Sequence, residues 1–207
     1  LGVCMTYQIL SAPVFAKLVV KKSEFLGYAY PITSRDELVW HMDTLRRRYL
    51  DARHICYGYI IGDPNNTTSA GFFDDGEPNG TAGRPILSVL QHKTIGDCAL
   101  FVVRYFGGIK LGAGGLTRAY ASTAQLVVDE MVLTGFVAKC HYRLDTDFAN
   151  EAFVRYCIGQ VGGDIVDSSY GNDSSGSVQL TAVIDKPCVD TLKQSLGHWA
   201  KVVLVDE

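Results

Sequence analysis

The chain has no apolar run long enough to span a bilayer, no Cys-x-x-Cys pair and no histidines at metal-ligand spacing. These absences argue against a helical membrane protein, a thiol redox motif and a His-based metalloenzyme. His41, His54, His92, His141 and His198 are dispersed, and no Gly-x-Ser-x-Gly elbow is present to make a triad partner of any of them. Lys17, Lys21 and Lys22 interrupt the apolar sequence near the start, so no signal peptide is predicted. Leu1–Cys4, ahead of Met5, add nothing to the fold pattern. The six cysteines are scattered, several in apolar runs where a thiol behaves as a small buried hydrophobe, and they predict a reduced, cytoplasmic protein.

Charged residues make up only 20% of the 207 positions and hydrophobic residues 47%, a balance that predicts globular and not disordered chain. The net charge of −3 argues against wholesale coating of nucleic acid. It is unevenly spread: residues 1–135 carry 13 Lys and Arg against 12 Asp and Glu, and residues 136–207 carry 6 against 10, giving +1 and −4. The first half is therefore the better host for an anion.

Glycine is what the chain does have, and it is concentrated. Arg104-Tyr105-Phe106-Gly107-Gly108-Ile109-Lys110-Leu111-Gly112-Ala113-Gly114-Gly115-Leu116-Thr117-Arg118-Ala119-Tyr120 follows the apolar run Ala99–Val103 and leads into a helix-like segment from Leu116. Glycines 107, 108, 112, 114 and 115 predict tight turns and uncovered amides, which at a helix start favour anions. The formal phosphate motifs fail, however. No Lys-Ser/Thr follows Gly112, and Thr117 stands where a dinucleotide fingerprint needs its third glycine. A turn that packs a helix onto a sheet explains the glycines equally well.

Asp74, Asp75 and Glu77 put three carboxylates in a glycine-containing loop, either as oxygen ligands for a hard cation or as acids near the start of the next helix. The spacing is not that of an EF-hand, and no metal or cofactor is assigned. His54 and Cys56 are one residue apart, on the same face of a predicted strand, which is the minimum for a thiol with a base; a structural histidine and a buried thiol fit the pattern better. Arg53, Arg84, Arg104, Lys110 and Arg118 lie near these loops with Tyr105, Phe106 and Tyr120. Cations beside rings suit RNA, and a core of rings with a solvated rim of cations suits the same residues.

The pattern along the chain predicts paired strands at Val14–Val20 and Glu24–Tyr30, then a helix capped by Ser34 with Glu37 and running to about Asp51. A strand at His54–Ile61, a long polar turn at Phe72–Gly83, a short helix at Arg84–Leu90, a buried strand at Cys98–Arg104 and a helix to about Met131 complete this half. Beyond Gly135 come a strand at Phe136–Leu144, a helix capped by Asp147 with Phe148, Ala152, Tyr156 and Ile158 on its apolar face, and strands at Gly163–Tyr170 and Val178–Ile184 about the Gly171–Gly176 turn. A helix opened by Pro187 and a strand at Val202–Val205 follow. That βαββαβ order is ferredoxin-like.

Three ordered segments, Asp74–Gly83, Val102–Gly112 and Gly114–Tyr120, strongly resemble the signature of the IMPACT/YigZ family, and Asp51–Cys56 matches a further family segment. The resemblance covers essentially the whole chain in its bacterial two-domain form. It implies an α+β protein: an N-terminal domain, residues 1–135, like EF-G domain IV (ribosomal-protein-like), and a C-terminal ferredoxin-like domain, residues 136–207, like EF-G domain V. Eukaryotic relatives regulate translation initiation under amino-acid starvation by competing for the ribosome-associated activator of an initiation-factor kinase, and the resemblance transfers no catalytic residues. It implies a non-enzymatic, translation-linked regulator that binds RNA, the ribosome or a regulatory protein, and no membrane. The surface expected to bind comprises Arg53, His54, Asp74, Asp75, Glu77, Arg84, Arg104, Tyr105, Lys110, Arg118 and Tyr120, with Gly107, Gly108, Gly112, Gly114 and Gly115 shaping the loop. The alternative is a small-molecule enzyme or nucleotide binder using the glycine and acidic loops. Kinases of the GHMP group are similar in fold, but Leu116 and Thr117 replace their serine pair.

Overall fold

The computed structural model describes residues 7–171 and 176–206; Leu1–Cys4 and the middle of the Gly171–Gly176 turn lie outside the described residues. The protein is mixed α+β and divides into two compact units, Tyr7–Phe136 and Val137 onward.

The first unit is built on a five-stranded antiparallel sheet in the order β2(Val14–Val20), β3(Ser23–Pro31), β7(Cys98–Tyr105), β4(His54–Asp63), β5(Asn66–Phe73). The central strand β7 is apolar on both sides because both sides are covered, as expected where helices pack on each face of a sheet. Leu100 and Val102 face one core with Phe25, Cys56 and Ile60, closed by α2(Gly83–His92) and α3(Ala113–Asp129). Ala99, Phe101 and Val103 face the other, closed by Leu38, Met42 and Leu45 of α1(Arg35–Arg48). The alternation is the strand period of two. Ser34 caps α1 by accepting from the Glu37 amide, while the Glu37 carboxylate accepts from Thr33 N at 2.6 Å.

Two parts of this unit depart from the sequence reading. Strand β5 occupies the start of what reads as a polar turn, taking in Phe72 and Phe73, which pair with Gly58 and Tyr57. Its polar Asn66-Thr67-Thr68-Ser69 run belongs to a sheet edge, where one side meets solvent. A second sheet joins β6(Ile95–Gly96), β1(Tyr7–Leu10) and β8(Leu133–Phe136), segments too short to show a period. Asp97 holds its margin, accepting from Tyr7 Oη at 2.6 Å and Gly62 N at 2.7 Å.

The second unit runs β9(Lys139–Asp147), α4(Glu151–Gln160), β10(Asp164–Tyr170), β11(Ser177–Asp185), a 3-10 turn at Lys186–Cys188 containing Pro187, α5(Val189–Leu196) and β12(Lys201–Asp206). Its sheet is antiparallel in the order β10-β11-β9-β12. Leu144, Leu180, Ala182 and Ile184 pack against Val154, Ile158, Leu192 and Leu196 of the two helices. Asp147 does not cap α4: the helix starts after Asn150, and Asp147 Oδ1 accepts from the Asn150 amide at 2.9 Å in the turn before it. The inward face of α4 is Val154, Cys157 and Ile158, whereas Phe148 and Tyr156 are exposed. The Phe136 end of the strand predicted at Phe136–Leu144 pairs instead with β1 in the first unit. No helix among the described residues is long and apolar enough to cross a membrane.

Strand β4 and helix α2 approach so closely at Gly58 that a Cβ there would lie 2.5 Å from Leu87 N and 2.8 Å from Leu87 Cα. Backbone atoms cannot move aside as a side chain can, so Gly58→Ala is expected to destabilise the protein by about 1–3 kcal/mol. A denaturation midpoint equal to that of the unchanged protein would contradict the packing.

Candidate functional site

The acidic loop between β5 and α2 is held by its own carboxylates. Asp74 accepts three backbone N–H groups, from Gly80 (2.7 Å), Ala82 (3.1 Å) and Gly83 (2.8 Å), and so satisfies amides at the start of α2. Asp75 accepts from Ile55 N at 2.7 Å and pairs with Arg46 at 3.1 Å, while its carbonyl meets His54 Nδ1 at 2.7 Å. Among the described residues no group of three or more His, Cys, Asp or Glu is placed to hold a metal ion.

Glu77 reaches further, into the interior. Its Oε1 pairs with Arg104 Nη1 at 2.5 Å and accepts from Tyr120 Oη at 2.8 Å. The pair is buried, with side chains only 4% and 8% exposed for Glu77 and Arg104. Arg104 leaves the end of β7 with its guanidinium 5.6 Å from the Phe25 ring and 5.7 Å from the Phe106 ring. Its Nε is buried and finds no acceptor among the described residues. Tyr120 projects from α3 edge-on to Phe25. Burial, then the neighbouring Cys56 and Glu77, push the Tyr120 hydroxyl well above its usual range.

His54 and Cys56 do not form a nucleophilic pair. The His54 ring nitrogen is engaged by the Asp75 carbonyl, and Cys56 Sγ donates to Asp74 O at 3.0 Å. Burial holds the Cys56 thiol far above the range in which a thiolate forms at neutral pH.

Above the Glu77–Arg104 pair lies a cleft of about 320 Å³. Arg53, His54 and Lys110 line it with the pair itself, and Pro78, Phe106, Leu111 and Leu116 supply apolar walls. Arg53, Lys110 and Phe106 are exposed. The start of α3 closes one side, earlier than the sequence suggests: the helix begins at Ala113, with Gly112 as its N-cap. Gly112 has φ of +71°, a left-handed conformation that a side chain would strain, and no side chain among the described residues caps the helix. The first ladder bond of the helix runs from Leu116 N to Gly112 O at 2.9 Å, which leaves the amides before it without a helical acceptor.

The structure thus gathers Arg53, His54, Glu77, Arg104, Lys110 and Gly112, and separates the other candidates. Arg118 lines a neighbouring hollow with Lys21 and Gly115, and Leu111 borders both hollows. Arg84 is exposed on α2 and does not line the cleft. Tyr105 lies on the α1 side of the sheet, donating to Asp51 Oδ1 at 2.8 Å, and burial and Asp51 push its hydroxyl up to about 12. Tyr120 is fully buried, so it supports the site from below. Asp74 and Asp75 shape the loop. Gly107 donates its N–H to Ser23 Oγ, Gly108 takes φ of +84°, and Gly114 sits in the first turn of α3. Ala113 and Lys21 are additions that composition alone does not mark. The helix start is what would have found Ala113.

Residues 21–128, which contain this cleft, match the model of the Impact N-terminal domain. The chain belongs to the IMPACT family. IMPACT family member YigZ of Escherichia coli (strain K12) is 32% identical over 165 residues, covering 80% of this chain and 81% of that protein. An IMPACT family member of Haemophilus influenzae is 37% identical over 145 residues, 70% of each. Among solved structures, the crystal structure of a hypothetical protein is 28% identical, with a TM-score of 0.67 over 97% of this chain and 98% of that one.

Removing one partner of a buried ion pair leaves a bare charge, so Glu77→Ala is expected to cost about 3–5 kcal/mol, measured by chemical denaturation. Arg104→Glu, which sets two carboxylates together in the interior, is expected to prevent folding. Cys56 is expected to resist iodoacetamide in the native protein at pH 8 and to react once the chain is unfolded, as read by mass spectrometry of the labelled peptide.

Proposed function

We propose that the protein is a non-enzymatic, translation-linked regulator whose first unit binds RNA. The observation that carries this reading is the cleft, where Arg53 and Lys110 stand without carboxylate partners among the described residues, beside a buried guanidinium and an uncapped helix start. Glu77 is already neutralised by Arg104, so the positive surplus is real. Helix amides and the helix dipole favour an anion, and the exposed Phe106 offers a face on which a base stacks. Lys21 and Arg118 in the adjoining hollow extend the cationic track. Phosphates along a strand fit such a track.

In this reading the two units are domains divided in sequence after Gly135, the first like EF-G domain IV and the second ferredoxin-like, as in EF-G domain V. The βαββαβ order and the β10-β11-β9-β12 sheet support the latter. The unpaired cysteines at 56, 98, 140, 157 and 188 support a reducing, cytoplasmic setting. Family membership supports the link to translation.

The test uses exposed cations, because Arg104 cannot be reversed without disturbing the fold. Lys110→Glu combined with Arg118→Glu is expected to keep the native circular dichroism spectrum and to lower affinity for single-stranded RNA at least tenfold. Binding by the unchanged protein should weaken with salt, with a slope of about 0.7 per phosphate contact. A folded double variant that binds RNA and comigrates with ribosomal particles as the unchanged protein does would overturn the reading. Salt-insensitive capture of a protein alone would replace RNA with a protein partner.

A further inference from the structure

The charges around the cleft do not suit every phosphate equally. An internal phosphodiester carries one negative charge and two non-bridging oxygens. A terminal phosphomonoester carries about −1.5 to −2 at neutral pH and offers three acceptor oxygens. Two exposed cations, Arg53 and Lys110, line the cleft. It adds the helix amides ahead of Leu116 and the roughly half charge of the α3 dipole. Independently of the helix, Arg104, only 7% exposed and lining the same cleft, has an Nε that finds no acceptor among the described residues. Buried N–H groups of this kind are ordinarily satisfied. Donors and charge are therefore in excess of what one phosphodiester uses.

Size and surroundings narrow the ligand further. A volume of about 320 Å³ is at the lower end for a ligand pocket, enough for a phosphate with one attached nucleoside. Phe106, 53% exposed, and Pro78 give the base an apolar wall. Leu111 borders both this cleft and the hollow that holds Lys21 and Arg118. Lys21 is fixed at the tip of the β2–β3 turn with φ of +45°, so its place is set by the hairpin. A free mononucleotide would leave that second cationic hollow unused, whereas a strand continuing past Leu111 brings its next phosphate to it.

We infer that the cleft recognises the terminal 5′-phosphomonoester of an RNA strand, seated at the start of α3 beside Arg104 and Lys110, with the first base against Phe106 and the following phosphate near Lys21 and Arg118. This inference rests on the RNA-binding reading above and makes it specific to strand ends.

The test measures fluorescence anisotropy of the full chain with one ten-nucleotide RNA, labelled at its 3′ end and carrying either a 5′-phosphate or a 5′-hydroxyl. The phosphorylated strand is expected to bind at least tenfold more tightly. Ala113→Glu separates ligand binding from structure. A carboxylate in the first turn of a helix favours the fold, so this variant should melt no lower than the unchanged protein, yet it should bring the ratio of the two affinities close to one. Arg118→Gln should weaken both strands alike and leave the ratio intact. Equal affinity for the two strands would overturn the inference while leaving RNA binding standing. Failure to bind either would remove both. Adenosine 5′-monophosphate that displaces the phosphorylated strand at equal concentration would make a free nucleotide the ligand and exclude the strand end.

Discussion

The buried ion pair of Glu77 and Arg104 fixes the position of nearly everything around the cleft. It joins the end of the central strand to the loop that precedes α2, and through Tyr120 it takes in α3 as well. Three elements distant in sequence meet on one carboxylate oxygen. Ion pairs of this kind add little net stability, because desolvating both charges offsets most of their attraction. Their directionality is what matters here. An apolar replacement would fill the same space but would leave the loop and the helix free to settle elsewhere, and the cleft is defined by where those two stop.

The neighbouring acids show how the same residue type is turned to different ends by its depth. Asp74 and Asp75 accept from backbone amides and fix the loop path; Glu77, two residues on, reaches the interior and meets a cation. A loop held by its own side chains keeps its form without a bound ion. That form positions Pro78 and the Glu77 carboxylate at the cleft. The cations that face the opening, Arg53 and Lys110, come from a strand start that Asp75 braces at Ile55 N and from a glycine link tied to Ser23 at Gly107, so they do not depend on each other.

Much of this was legible in the sequence, and what was not has identifiable causes. The strand at Val14–Val20 and the alternation of the second unit were visible because burial imposes a period, the strand at Cys98–Arg104 because it is apolar throughout, and the Ser34 cap because Glu37 follows it at capping-box spacing. Strand β5 was hidden because an edge strand with one wet side reads as polar. The strands of the small sheet, of two to four residues, are too short for any period. For the site, the glycine link, Lys110 and the acidic loop could be picked out as unusual local composition. That Arg104 is interior, that Tyr105 faces the opposite layer and that Arg118 belongs to a second hollow could not, since each depends on which face of β7 or α3 a residue takes. Adjacent strand residues take opposite faces, so Arg104 and Tyr105 part company over one peptide bond. Phe148 and Tyr156 show the complementary case, apolar residues at helical spacing that point outward.

The sheet order also has a consequence for how the chain is made. Strands β3 and β4 are neighbours in sequence order but not in space, since β7 lies between them and pairs with both. During synthesis, then, β3 and β4 each emerge with an apolar edge that has no partner until residue 105 has left the ribosome. Contacts of such long sequence separation form slowly and leave intermediates prone to aggregation. The five-stranded sheet is therefore completed late, when its central strand arrives with Arg104 near its end to meet Glu77, and α3 and β8 close the unit after it.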